Sequence, residues 1–97
     1  MEFDKLVHQP TRLQIFAHLY ANGETSFTDL KSALEITEGN LASHIERMED
    51  AGCVAVEKQF VDRKPQTTYH LTETGSDLFE DHVQTLESLI DSLEESE

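Results

Sequence analysis

A mainly helical α+β fold is expected for these 97 residues, and three observations predict it. Apolar residues recur at helical spacing over most of the chain. Period-two alternation replaces that spacing only within 53–71. Turn and cap signals at Asn22-Gly23, Ile36-Thr37, Gly52 and 62–65 separate the runs into short elements. A chain this short buries about 60 to 65% of its unfolded surface, so residues 1–97 should form one domain. The apolar fraction is 37% and the formal net charge −13, but the apolar residues fall in periodic blocks, which excludes wholesale disorder. Cys53 is the only cysteine and cannot form an internal disulfide, and no apolar run resembles a signal peptide or a membrane span, so a soluble, cytoplasmic protein is expected.

The elements follow in order. Phe3, Leu6 and Val7 are apolar at helical spacing ahead of Pro10, whose missing N–H suits a first helical turn. Leu13, Phe16 and Ala17 fit i, i+3, i+4 and mark the inner face of a helix over 10–21, closed by Asn22-Gly23. Ser26 then stands three residues before Asp29 as a cap, with Phe27, Leu30 and Leu34 as the buried stripe of a short helix ending near Glu35. Thr37 caps the next helix, where Leu41, Ile45 and Met48 recur before Gly52 stops it. Two short helices joined by a tight turn over 26–51 make a helix-turn-helix. Val54 and Val56, then 59–61, form one strand of a hairpin; 62–65 turn; Thr67, Tyr69 and Leu71 alternate in the other. Thr72 caps a last helix over 72–94 that accepts Gly75 in its first turn at some cost in propensity, followed by an acidic tail over 94–97. A hairpin directly after the third helix, at 53–71, completes the plan of a winged helix-turn-helix: three helices, a two-stranded wing and a long C-terminal helix.

Four segments also look familiar: His8-Gln9-Pro10-Thr11-Arg12-Leu13-Gln14-Ile15, Phe27-Thr28-Asp29-Leu30, Glu38-Gly39-Asn40-Leu41-Ala42-Ser43-His44-Ile45 and Leu71-Thr72-Glu73-Thr74-Gly75. They resemble the small MarR/ArsR-like winged-helix transcriptional regulators of bacteria and archaea, over roughly residues 5–80. The resemblance implies a recognition helix entering the major groove of DNA and a wing beside it.

With Leu41 set at zero on a wheel of about 100° per residue, Ile45 and Met48 fall within about 40° of it, while Asn40, Ser43, His44 and Arg47 share one flank. A polar stripe taken alone is most often a solvated face. These residue types, however, match base edges: Arg bidentate to guanine, Asn to adenine, Ser and His as adaptable donors. Glu38, Glu46 and Glu49 point away from the flank, and Asp50 lies near its edge. The five histidines show no metal-ligand spacing, so no metal and no cofactor are expected.

Charge is unevenly spread. Residues 71–97 carry nine acids and no base, whereas 53–70 carry two acids and three bases, Lys58, Arg63 and Lys64. Arg63 and Lys64 at the hairpin tip are placed for a minor groove or a backbone, with Gln66 and Thr67 as neutral donors to phosphate. Backbone amides near Ser26 and Phe27 offer a further anion site at a helix start.

Phe79, Val83, Leu86, Ile90 and Leu93 step by four, three, four and three, and Leu78 and Leu89 widen the face; the first two turns, around Leu78, Phe79 and Val83, can pack on the chain's own core, and the seam beyond them is expected to hold a homodimer on a pseudo-palindromic DNA site. No Gly-rich phosphate loop, nucleophile elbow or metalloprotease motif occurs, so catalysis is not expected. Cys53 reads as a small packed residue rather than a redox switch, and little room is expected for a small-molecule effector. The composition also resembles that of proteins from salt-loving archaea. The competing expectation is an acidic protein-interaction module on the same scaffold, binding a basic partner or mimicking DNA.

Overall fold

The structure is a computed structural model and describes residues 3–95; the end of the expected acidic tail lies outside the described residues. The Asp4 carboxylate accepts from the Leu6 and Val7 amides and starts α1 (Lys5–His8). Gln9 closes that turn and opens α2 (Pro10–Asn22), its side-chain oxygen accepting from the Arg12 amide at 2.8 Å, with Pro10 in the first turn as expected. Gly23 ends α2 with φ 77°, a conformation that suits glycine, and its N–H returns to the Leu19 carbonyl.

One feature of α2 differs from expectation. Ala17 is exposed, and the buried stripe is Arg12, Ile15, Phe16 and Leu19, an i, i+3, i+4, i+7 series whose first member is charged. Reading apolar residues alone rotated the face, because Arg12 counted as polar.

A two-residue strand, β1 (Thr25–Ser26), precedes α3 (Phe27–Leu34). Too short to show alternation, it has no signature of its own in the sequence. The Ser26 hydroxyl accepts from the Asp29 amide at 3.1 Å, so this residue serves as both strand and cap. The turn to α4 (Glu38–Asp50) puts Glu35 in the left-handed region at φ 53°, and the Thr37 hydroxyl accepts from the Asn40 amide. At the end of α4, Gly52 donates to the Glu49 carbonyl and Cys53 to the Met48 carbonyl, the paired bonds of a Schellman cap with glycine at φ 75°.

The wing is an antiparallel pair, β2 (Val54–Val61) and β3 (Lys64–Leu71), and β1 adds to the free side of β3 to give the order β1-β3-β2. Only Asp62 and Arg63 form the turn, both with positive φ, as in a two-residue type I′ hairpin. Lys64 and Pro65, expected in the turn, are strand residues opposite Val61 and Phe60. Pro65 is tolerated because β1 reaches only Thr68 and Tyr69, leaving the outer part of β3 paired on one side.

Helix α5 (Glu73–Glu95) starts from Thr72, whose hydroxyl donates to the Gly52 carbonyl at 2.6 Å and accepts from the Gly75 amide at 3.1 Å. A Cβ at Gly75 would overlap the Cys53 carbonyl oxygen, so the glycine lets α5 lie against the end of α4 and the base of the wing. The core formed by these elements is continuous: Val7, Ile15, Phe16, Leu19, Leu30, Leu41, Ile45, Met48, Cys53, Val54, Tyr69 and Phe79 are all buried. None of the described helices is long and apolar enough to cross a membrane.

Candidate nucleic-acid interface

Burial of Leu41, Ile45 and Met48 fixes how α4 rolls on the core. The expected flank therefore points outward, with Asn40, Ser43 and Arg47 exposed. Glu38, Glu46, Glu49 and Asp50 are exposed as well, which keeps them from being buried without partners but places negative charge around the rest of the helix.

His44 is different, being half-buried and engaged from below. The Arg12 guanidinium lies 3.2 Å from its Nδ1. Arginine has no acceptor, so the imidazole must accept at Nδ1 and carry its proton on Nε2. Burial, followed by the charges of Arg12 and Arg47, holds His44 below its ordinary pKa and favours this neutral form. Arg12 is itself 9% exposed, and its other donors serve backbone carbonyls: its Nε donates to the Leu6 carbonyl at 2.8 Å and a terminal nitrogen to the Lys5 carbonyl at 3.4 Å. Burial, then Arg47, lowers its pKa, but a guanidinium stays charged under any ordinary condition. One buried cation thus joins the start of α1, the start of α2 and the outward flank of α4. The sequence reading passed over it; the available signal was a polar residue in phase with Ile15, Phe16 and Leu19.

On the wing, Arg63 and Lys64 are exposed, Gln66 and Thr67 half-buried. Arg63 has φ 67°, a left-handed conformation that a residue with a Cβ adopts at a cost. Ser26 is buried, with its hydroxyl committed to capping α3, and Phe27 packs against Tyr69 with ring centroids 6.2 Å apart. Both side chains therefore contribute to packing.

Along α5, Phe79 lies in its own chain's core, stacked on Phe16 at 6.2 Å and next to Tyr20 at 5.1 Å. Val83 and Leu86 are half-buried, and exposure then climbs through Leu89 (36%), Ile90 (54%) and Leu93 (64%). The seam changes character along its length because the core ends before the helix does. Between α2 and α5, an open cleft of about 320 Å³ is lined by Tyr20, Phe79, Glu80, Val83, Gln84 and Glu87, more room than the short chain led us to expect. Tyr20 donates to Glu80 there at 2.7 Å, and this bond to a carboxylate raises the phenol's pKa.

His8 and His82 meet beneath Phe3, with Nδ1 of His8 3.3 Å from Nε2 of His82. His82 is buried, its Nδ1 has no hydrogen-bond partner among the described residues, and burial is the main cause of its lowered pKa. Among the described residues, no group of three or more His, Cys, Asp or Glu is arranged to hold a metal ion. Cys53 is buried, and burial pushes its thiol pKa up, which suits a packing role.

Comparison with known proteins gives consistent relatives. A family model described as a winged helix DNA-binding domain matches residues 11–90. An uncharacterized protein of Methanocaldococcus jannaschii is 28% identical over 90 residues, covering 93% of this chain and 98% of that protein. The solved structure of a transcriptional regulator homologue from Pyrococcus horikoshii is similar with a TM-score of 0.85 and 32% identity, covering 91% of this chain and 87% of that one. The structure of NadR in complex with 4-hydroxyphenylacetate matches with a TM-score of 0.74 and 26% identity over 94% of this chain and 67% of that one.

Proposed function

Because the chain belongs to the winged helix DNA-binding domain family, and its structural neighbours are MarR-like transcriptional regulators, we propose that this DNA-binding regulator acts as a homodimer reading a pseudo-palindromic duplex. The observation that carries the reading is the outward flank of α4, where Asn40, Ser43 and Arg47 are exposed while Arg12 steadies His44 between them and the core. In this reading α4 enters the major groove: Arg47 supplies a bidentate donor for guanine, Asn40 a donor and an acceptor for adenine, and the Nε2–H of His44 a single neutral donor. Arg63 and Lys64 follow the neighbouring backbone or minor groove.

The outer part of α5 supplies the self-association surface in this reading. Leu86, Leu89 and Ile90 continue the apolar stripe beyond the intrachain core, and a second copy would cover it while bringing two α4 helices to one face. Two half-sites would then lie about 34 Å apart, one helical turn of DNA.

Affinity measurements on a duplex selected by the wild-type protein from a randomised library test the division of labour. Arg47→Ala and Asn40→Ala should each lose about 1 to 3 kcal/mol on that duplex and relax preference at one base, whereas Lys64→Ala should weaken selected and random duplexes alike. Equal losses on both duplexes for the α4 variants would refute base reading.

A further inference from the structure

The wing ends in an apolar surface that neither the core nor the seam uses. Phe60 is 78% exposed and Val61 44% exposed, and both lie where the hairpin has outrun β1 and stands as a two-stranded ribbon. Alternation puts Lys58, Phe60, Pro65 and Thr67 on one face, Phe60 directly opposite Pro65. Val61 lies on the other face, opposite Lys64, and Arg63 occupies the turn beyond.

We propose that Phe60, backed by Pro65, is an apolar wedge that the wing inserts into the minor groove of bound DNA, opening a base step beside the site read by α4. The inference rests on the regulator reading above. Charge decides the occupant. The other run of exposed apolar residues, Leu89 to Leu93, lies on a helix without a base, whereas Phe60 stands among Lys58, Arg63 and Lys64 in the only segment whose bases outnumber its acids. A surface combining cations with an aromatic ring complements a polyanion whose interior is itself aromatic. A minor groove about 6 Å wide admits side chains rather than a whole two-stranded ribbon, so the side chains at the tip would lead. Proline opposite the ring removes a backbone donor at the tip and stiffens the strand that supports it. A wedge of this kind spreads and unstacks neighbouring bases, so binding should favour flanks containing easily opened pyrimidine–purine steps over stiff A-tracts, a preference expressed without a base hydrogen bond.

The test uses the duplex selected by the wild-type protein, with its flank varied between a TA step and an A-tract, and compares wild type, Phe60→Ala and Phe60→Leu by affinity and by gel mobility of circularly permuted fragments. The side chain is exposed, so both variants should fold. Wild type should bend the duplex and bind the TA flank about fivefold to tenfold more tightly. Phe60→Ala should lose the bend and the flank preference while keeping the base preferences of α4, and Phe60→Leu should keep most of both. If Phe60→Ala bends DNA and discriminates flanks like wild type, the wedge is refuted and the regulator reading stands. Failure of wild type to bind any duplex would remove both. A fall in oligomeric state on Phe60→Ala, seen by sedimentation, would assign the ring to a second copy and also overturn the proposal.

Discussion

Replacing Arg12 with methionine isolates what one buried cation does for α4 and the fold around it. Methionine keeps most of the aliphatic stem but removes the donors now serving the Leu6 and Lys5 carbonyls and His44 Nδ1. A buried acceptor left without a partner costs about 1 to 3 kcal/mol, and water reaches part of this site because Lys5 is exposed. The expected loss is therefore about 2 to 4 kcal/mol, a large share of the roughly 5 to 15 kcal/mol that holds a domain of this size together. With a urea dependence of about 1 to 1.5 kcal/mol per molar, the unfolding midpoint should fall by about 1.3 to 4 M. A second readout separates this mechanism from general loosening. Arg12 is one of the charges that keep His44 below 6.5, so its removal should raise the His44 pKa toward that value in an NMR titration of the ring protons. A stability loss below about 0.5 kcal/mol, or a His44 titration that does not move, would refute the reasoning.

Three further outcomes are expected. Leu89→Glu combined with Ile90→Glu should yield a folded monomer by sedimentation, because both side chains are already exposed in the single chain; an unchanged dimer would remove α5 as the interface. Acid should destabilise the fold: His44 and His82 both titrate below 6.5 when folded, so the unfolded chain takes up protons first, and the stability they allow, complete above that value, declines as pH falls through it toward their folded pKa values. His82→Leu, which also removes the unpartnered Nδ1, should flatten the dependence of Tm on pH between about 7.5 and 5, and an equally steep curve would contradict the assignment. Salt should help rather than harm. Every acid from Asp4 to Glu95 is exposed, and in molar KCl the screening length falls to about 3 Å, so Tm should rise with KCl and specific DNA affinity should fall less steeply than the usual slope of about 0.9 per phosphate contact; a protein fully stable at low salt that loses DNA steeply would count against this.

The elements that could be read from sequence are those whose signals are local. Ser26, Thr37 and Thr72 cap the helices they were expected to cap, and Gly23 and Gly52 end theirs, because a cap is settled within four or five residues. Packing against distant chain was less accessible. Thr25 and Ser26 form a strand only because β3 passes beside them, and Arg12 belongs to the core only because the start of α1 and His44 offer it acceptors. The need for Gly75 comes from a carbonyl 22 residues earlier in the chain, although the glycine itself was conspicuous. In the candidate interface, helical phase was enough to bring Asn40, Ser43 and Arg47 to one exposed flank. It did not reveal that Ser26 would be buried. Phe60 escaped notice because an aromatic in a strand reads as core until the sheet is seen to outrun its neighbours.

The central claim, base reading by the outward flank of α4, is tested most directly by selecting duplexes from a randomised library in parallel with the wild-type protein and with Arg47→Ala. Wild type should enrich a two-fold motif with half-sites about 10 base pairs apart, and Arg47→Ala should enrich the same motif with one symmetric pair of positions left open. An unaltered motif with Arg47→Ala, or no enrichment by wild type at any salt concentration, would contradict the account.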